Sequence, residues 1–315
     1  MKIAFQIEPL SQLKPLDSGL ALIREALIRG HSVWVYQGKD LSFDQGQVRA
    51  RALSVPLNGQ TDPSPTVLDL SEMDVVWIRS NPPFDMAYLT PTYVLEALPP
   101  RVRVINPPAS LRNYPEKLWP MRAFSQWMAP TLLTRHSQDV LSFWETHGTI
   151  VLKPLFGYGG HGVLCLSPSE KRNWPAFEEM LFGASKDAVI AQAYLPEIAQ
   201  GDTRVFFVDG RVRGALSRVP APGQFLSGSA YGSDIRTTEL TQKQRDCCVA
   251  LEAGLQDAGF FLAGVDFIGD YLTEINLTSP TLLPQFNQLY GVSLESEIWD
   301  LLEKRSSKEG QKGTS

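Results

Sequence analysis

Asp266, Glu274 and Asn276 stand as oxygen donors among apolar neighbours in Gly264-Val265-Asp266-Phe267-Ile268-Gly269-Asp270-Tyr271-Leu272-Thr273-Glu274-Ile275-Asn276. Two short β-type runs flank a Gly-Asp turn signal, so the segment reads as a hairpin. Glu274 and Asn276 are two apart on one strand and share a face. Carboxylate and amide oxygens suit hard cations such as Mg²⁺, often held beside substrate phosphates. A surface hairpin with incidental acids is the competing reading, and polar residues on otherwise apolar strands count against it. The register discriminates. A two-residue Gly269-Asp270 turn pairs Val265 with Glu274 and sends Asp266 to the opposite face. A three-residue loop, Gly269 to Tyr271, pairs Asp266 with Glu274 and gathers all three donors. The metal reading therefore expects the odd-numbered loop. Downstream, Thr278-Ser279-Pro280 reads as a helix start with Ser279 as N-cap and Pro280 at the first helical position.

A second constellation is Phe156-Gly157-Tyr158-Gly159-Gly160-His161-Gly162, preceded by the strand Thr149 to Leu155 and followed by the strand Val163 to Leu166. Its glycines match G-x-G-x-x-G, but a dinucleotide fold needs them between a strand and a helix. Between two strands, such a loop can instead lie over ATP phosphates and donate backbone N–H groups. Lys153, just before the loop, is well placed for phosphate oxygens. A plain hairpin with a flexible tip is the alternative.

The elements that position these groups follow in order. Residues 2–7 read as a buried strand, Leu20 to Ile28 as a helix closed by Gly30, and His31 to Tyr36 as a second strand. That βαβ opening favours a parallel sheet, extended by Asp74 to Arg79 and Val102 to Asn106. Ligands bind at the carboxyl ends of such strands, so the loops Glu8 to Ser18 and Ser80 to Asp85 are candidate substrate walls. Helices are expected from Glu116 to Met128 and Leu141 to His147, and a strand over Val189 to Pro196. Arg204 to Val208 and Arg211 to Leu216 form a hairpin about Asp209-Gly210, with Arg218 at its end. Ala221 to Ser233 is rich in Gly, Ser and Pro and reads as a lid. Thr241 to Ala258 and Leu294 to Leu302 are helices, and Ser306 to Ser315 a disordered tail. Three cysteines lack metal-type spacing. A net charge of −5 argues against a general nucleic-acid binder. Neither a signal peptide nor a run of 18 apolar residues is present, so a soluble, cytoplasmic chain is expected.

The order of these parts resembles the ATP-grasp superfamily, and from about residue 2 to about 304 it resembles the prokaryotic-type glutathione synthetase. The resemblance rests on Asn81-Pro82-Pro83-Phe84-Asp85, Glu116-Lys117-Leu118, Leu152-Lys153-Pro154-Leu155, Gly159-Gly160, Gln192-Ala193-Tyr194-Leu195-Pro196, Gly201-Asp202, Val208-Asp209-Gly210 and Ile268 through Thr281. It implies an α/β ATP-grasp fold with an N-terminal Rossmann-like (pre-ATP-grasp) domain over 1–113. The ATP-grasp domain would span 114–304, divided into a first lobe, 114–188, with the glycine loop and a second, 189–304, with the metal site and lid; 305–315 is the tail. The implied reaction activates the cysteinyl carboxylate of γ-glutamylcysteine as an acyl phosphate, which the amine of glycine attacks.

The resemblance also implies residue roles. Lys117 and Lys153 would hold phosphates under Gly159 and Gly160. Gln192, Tyr194 and Leu195 would border adenine, and Asp202 the ribose. Asp266, Glu274 and Asn276 would ligate Mg²⁺, with Mn²⁺ as a substitute. Arg204 and Arg218 would serve the reacting carboxyl and the transferred phosphate. Ser18, Asn81 and Ser279 would touch substrate, and the enzyme would be a homo-oligomer acting on small molecules without nucleic acid or membrane partners. Three departures bear on the substrate: Leu226 stands where the lid arginine aligns, Phe156 where an acid is usual, and Asn81 for an aspartate. A related carboxylate–amine ligase with another acid or amine is one alternative. A non-catalytic nucleotide-binding protein is another, opposed by retention of both lysines, both arginines and all three metal ligands.

Overall fold

The computed structural model describes residues 1–57, 64–183, 187–227 and 232–312. The N-terminal sheet is built on β1 (Lys2–Gln6), whose apolar run is buried on both faces as a central parallel strand requires. Helix α1 (Ser18–Ile28) is capped by Asp17, whose Oδ1 accepts from Gly19 N at 2.7 Å and Leu20 N at 3.0 Å. It leads into β2 (Ser32–Tyr36), parallel to β1, which is the expected βαβ unit. The sequence reading passed over β3 (Leu41–Asp44), β4 (Gln47–Val55) and β5 (Thr66–Asp69), which extend the sheet antiparallel beyond β2. The alternation of Val48, Ala50 and Ala52 with polar residues is their period-two signal. On the other side β1 pairs with β6 (Val75–Ile78), and β6 with β7 (Arg103–Ile105), both parallel. Helices α2 (Met86–Leu95) and α3 (Pro108–Asn113) complete this region.

After α4 (Leu118–Ala123) comes an antiparallel sheet of β8 (Thr131–Thr134), β9 (Ile150–Pro154), β10 (Leu164–Leu166) and β11 (Val189–Ala193), in the order β10-β9-β11-β8. Helices α5 (Ser137–His147) and α6 (Trp174–Glu178) cover it, bringing Trp144 and Trp174 edge to face at 5.9 Å. The third sheet joins β12 (Asp202–Val208), β13 (Arg211–Val219), β14 (Asp234–Thr237), β15 (Leu262–Ile268) and β16 (Tyr271–Asn276) in the order β14-β13-β12-β15-β16. The turn between β12 and β13 is the expected Asp209-Gly210, with both residues at positive φ, 57° and 67°. Helix α7 (Gln242–Asp257) buries Cys247, Cys248, Leu251 and Leu255.

Helices α8 (Leu283–Tyr290) and α9 (Leu294–Lys312) bring the chain back to its start. Trp299 enters the N-terminal core, edge to face with Trp77 at 5.5 Å, and its indole N–H donates to Leu22 O at 3.0 Å. The helical backbone continues through the stretch expected as a tail as far as Lys312, because its Lys, Glu and Gln residues extend a helix readily once α9 is nucleated by packing. Residues 313–315 lie outside the described residues.

Asn106, directly after β7, ties the first sheet to the third. Its amide nitrogen donates to Leu262 O at 2.8 Å and Leu277 O at 2.7 Å, while its oxygen accepts from Phe261 N at 2.9 Å and Leu262 N at 3.2 Å. Replacing it with leucine strands four buried backbone groups. Urea unfolding of Asn106→Leu is expected to show a loss of roughly 3 kcal/mol or more. A loss below about 1 kcal/mol would mean that those groups find other partners.

Candidate active site

The β15–β16 hairpin closes with a two-residue turn, because Ile268 pairs with Tyr271 and Gly269 takes φ of +55°. The expected three-residue loop is therefore incorrect. The pairing it was meant to produce is nonetheless present. Phe267 opposes Leu272, the register then shifts, and Asp266 opposes Glu274 while Gly264 opposes Asn276. Thr273 is the extra residue, a β-bulge inside the strand, and its hydroxyl donates to Asp266 O at 2.9 Å. Phe267 and Leu272 are completely buried and hold the regular pairing next to the turn, so the odd residue is accommodated one step further on. Asp266, Thr273, Glu274 and Asn276 line one cavity of about 340 Å³.

Behind the hairpin lies a buried charge network. Arg204 clasps Asp266 in two parallel bonds, Nε to Oδ1 and Nη2 to Oδ2, both 2.6 Å. Arg218 clasps Asp202 in the same way, Nε to Oδ1 at 2.7 Å, and its Nη2 also reaches Asp266 Oδ2 at 2.9 Å. All four side chains are buried. Burial alone would raise the Asp266 carboxyl, but Arg204 and Arg218 hold it well below the usual carboxylate range. Asp202, expected beside the ribose, lines the cavity with much of its acceptor capacity already given to Arg218. Asn276 Nδ2 donates to Asp266 Oδ2 at 3.0 Å, leaving the amide oxygen as its acceptor end.

The opposite wall carries the lysines. The glycine loop joins β9 to β10 in an antiparallel hairpin, so no helix follows it, as expected. Gly159, Gly160 and Gly162 have φ of 58°, 81° and 71°, values that L side chains avoid. Lys117 Nζ donates to Gly157 O and lies 3.5 Å from Glu274 Oε2. Lys153 Nζ donates to Gln192 Oε1 at 2.8 Å, and Gln192 Nε2 in turn to Thr131 Oγ1 at 2.9 Å. Loss of water around Lys153 brings its pKa down to about 8, against the pull of Glu274 and Asp266. Gly159, Gly160, Gln192, Tyr194 and Leu195 line the same cavity. Phe225, Leu226 and Ser227 of the expected lid do so too, while residues 228–231 lie outside the described residues.

The floor is the strap 277–282, and here the structure corrects the helix start. No helix begins at Ser279; α8 begins at Leu283, after Leu282 at φ of +82°. The strap is held in place by distant groups. Glu116 Oε1 accepts from Leu277 N at 2.6 Å and Thr278 N at 2.9 Å, and Arg79 Nη2 donates to Pro280 O at 2.9 Å. Ser279 Oγ donates to Asn81 Oδ1 at 2.9 Å, so these two predicted substrate residues meet at the cavity wall. Ser18 is not among the residues lining the cavity. It is buried and its hydroxyl accepts from Leu283 N at 3.1 Å, fixing the start of α8. Sequence reasoning gave no role to Glu116, Arg79 or Thr273. A lone arginine ending the apolar run Val75–Ile78 was the available signal for Arg79.

The family model of the prokaryotic glutathione synthetase N-terminal domain matches residues 1–112, and that of its ATP-grasp domain matches residues 116–291. The chain is 37% identical over 311 residues to the glutathione synthetase of Rhodopseudomonas palustris, covering 97% of this chain and 99% of that one. It is 38% identical over 309 residues to the glutathione synthetase of Mesorhizobium japonicum, covering 96% and 98%. The chain belongs to the prokaryotic glutathione synthetase family. It is an ATP-grasp ligase. The crystal structure of the D-cycloserine synthetase DcsG shares the fold, with a TM-score of 0.69 at 17% identity over 96% of this chain and 99% of that one. No helix among the described residues is long and apolar enough to cross a membrane.

For a ligase of this family, Lys153 supplies a pH test. Its ammonium is fully charged below the lowered pKa and is lost as pH rises through about 8. Phosphate oxygens prefer the charged form, so nucleotide affinity is expected to fall as pH rises from 7 to 9. Binding above pH 8 should be accompanied by proton uptake, seen as buffer-dependent heat in calorimetry. Lys153→Arg should flatten that profile; an unchanged profile in this variant would remove Lys153 as its source.

Proposed function

We propose that this chain makes glutathione in the cytoplasm, using ATP to join γ-glutamylcysteine to glycine. One observation carries the reading: two lysines and a glycine loop face the Asp266, Glu274 and Asn276 oxygens across a single cavity. A carboxylate is a poor electrophile. Transfer of the terminal phosphoryl of ATP to the cysteinyl carboxylate gives an acyl phosphate and ADP; attack by the glycine amine then expels phosphate and forms the amide. Lys117 and Lys153 neutralise the phosphates, and Gly159 and Gly160 leave room for backbone N–H groups to approach them. Gln192, Tyr194 and Leu195 border the adenine, and Asp202 the ribose.

The oxygen-only donor set fits a hard divalent cation, Mg²⁺ or Mn²⁺. Glu274 and the Asn276 oxygen offer acceptor capacity, and they and Asp266 beside them would hold the cation. Among the described residues no three His, Cys, Asp or Glu side chains form a metal cluster, and here the Asn276 amide would supply the third protein oxygen. Such a cation would offset the negative charge that gathers during transfer. Arg204 and Arg218, oriented by their carboxylates, stabilise the reacting carboxyl and the transferred group. Asn81 and Ser279 hold the acid substrate, with Ser18 fixing the strap behind them. The lid keeps water from the acyl phosphate, and the enzyme works as a homo-oligomer, as the family resemblance implies.

A second reading has its own observation. Leu226 lines the cavity where the resemblance calls for an arginine, which favours an amine or acid other than the family pair.

ADP release should require ATP, Mg²⁺, γ-glutamylcysteine and glycine together. Dependence on a different acid or amine, with none on this pair, would establish the second reading. Glu274→Gln should lower kcat by at least about a hundredfold, the size of a lost charge-stabilising group, with an unchanged circular dichroism spectrum. Near-normal turnover would sink the metal assignment.

A further inference from the structure

The sheet that carries the glycine loop has its own hydrophobic core. Val140, Trp144, Ile150, Leu152, Leu166, Trp174, Val189 and Ala191 cluster with one another, whereas the first and third sheets share two other clusters. Near the cavity this lobe meets the rest of the molecule through the base of its loop. Phe156 stacks on Phe84, with ring centroids 6.1 Å apart and an interplanar angle of 24°. Phe84 in turn packs on Tyr88 of α2 at 5.1 Å. One residue further on, the Gly157 carbonyl accepts from Lys117.

Phe84 belongs to the 80–85 loop, whose Asn81 and Pro82 line the cavity beside Ser279. Phe156 is 43% exposed, and the space beneath the two rings, lined by Pro82, Tyr114 and Leu277, is only about 20 Å³. The rings therefore meet over a nearly filled base, with the outer side of Phe156 open to solvent. A shift of the glycine loop that includes its base would slide Phe156 over Phe84 or break the stack. A shift of the 80–85 loop against a bound acid does the same from the other side.

We propose that the Phe84–Phe156 stack couples nucleotide binding under the glycine loop to binding of the acid substrate against the 80–85 loop. The inference rests on the glutathione synthetase reading and adds to it a pair of positioning residues that touch neither reacting group. The coupling is taken as favourable, the stack being kept when both walls close together, and by reciprocity each ligand then tightens the other by the same factor. Its size is that of one stacked aromatic pair, about two- to tenfold in affinity.

Calorimetric titration with MgADP, with and without saturating γ-glutamylcysteine, tests it. In the native protein the acid should tighten MgADP by about two- to tenfold. Phe156→Ala and Phe84→Ala should each bring that ratio close to one. The double variant should be no worse than either single, and Phe156→Tyr should restore the ratio. A purely structural role would change melting temperature without changing the ratio. If native protein binds MgADP and both alanine variants keep the native ratio, the coupling is overturned while the functional reading stands. If native protein binds no nucleotide, the functional reading falls and the coupling with it.

Discussion

Everything in the site depends on the register of the third sheet at one carboxylate, Asp266. On β12, Asp202 and Arg204 are two residues apart and face the same way. Asp202 is paired with Arg218 on β13, and Arg204 with Asp266 on β15, as direct cross-strand neighbours. A buried charge without its partner costs several kcal/mol, and breaking such a pair leaves an uncompensated ion. A one-residue slip of any of these strands would send its charges to the opposite face. The network thus selects one alignment of three strands, and the bulge at Thr273 brings Glu274 on the fourth into line with it.

The same arithmetic of charge constrains the cavity. Lys117, Lys153, Arg204 and Arg218 line it together with Glu116, Asp202, Asp266 and Glu274, so acids and bases are matched before any ligand enters. A polyphosphate adds negative charge that these cations, with Arg204 and Arg218 already clasped by carboxylates, balance only in part. That deficit is what a divalent cation on the Glu274–Asn276 side would make up. Glu116 is the exception in this set. Burial raises its carboxyl, and backbone N–H groups of Leu277 and Thr278 work in the opposite direction, so its role is to hold the strap.

The strands and the chemistry along them were legible in the sequence because both are local. Apolar runs gave β1, β2, β6 and β9, and Asp209-Gly210 gave its turn. What the sequence hid was decided at a distance. The bulge follows from Phe267 and Leu272 being held in the core. The absence of a helix at Ser279 goes with Arg79, some 200 positions away, holding the Pro280 carbonyl that a first turn would use, while Glu116, some 160 away, fixes the backbone just before it. Ser18 stands at a strand-end loop by pattern, yet its hydroxyl is turned to Leu283. The β3–β5 extension was readable in the alternation at Val48, Ala50 and Ala52 and was overlooked beside the stronger parallel signal.

Chain connectivity explains which part of the cleft is free to adjust. Arg29 on the turn after α1 binds Asp300 at 2.7 Å and Ser296 O at 2.9 Å on α9, and Trp299 fills the N-terminal core. Asn106 locks the first sheet to the third from the other side. The cavity wall at Asn81 and the strand carrying Asp266 are therefore parts of one packed body. The β8–β11 sheet packs around a separate core at Trp144 and Trp174, so a change in its position would leave the two clusters shared by the other sheets intact. A ligase that must admit a nucleotide and then exclude water needs one such movable wall, and the glycine-rich loop is carried on it.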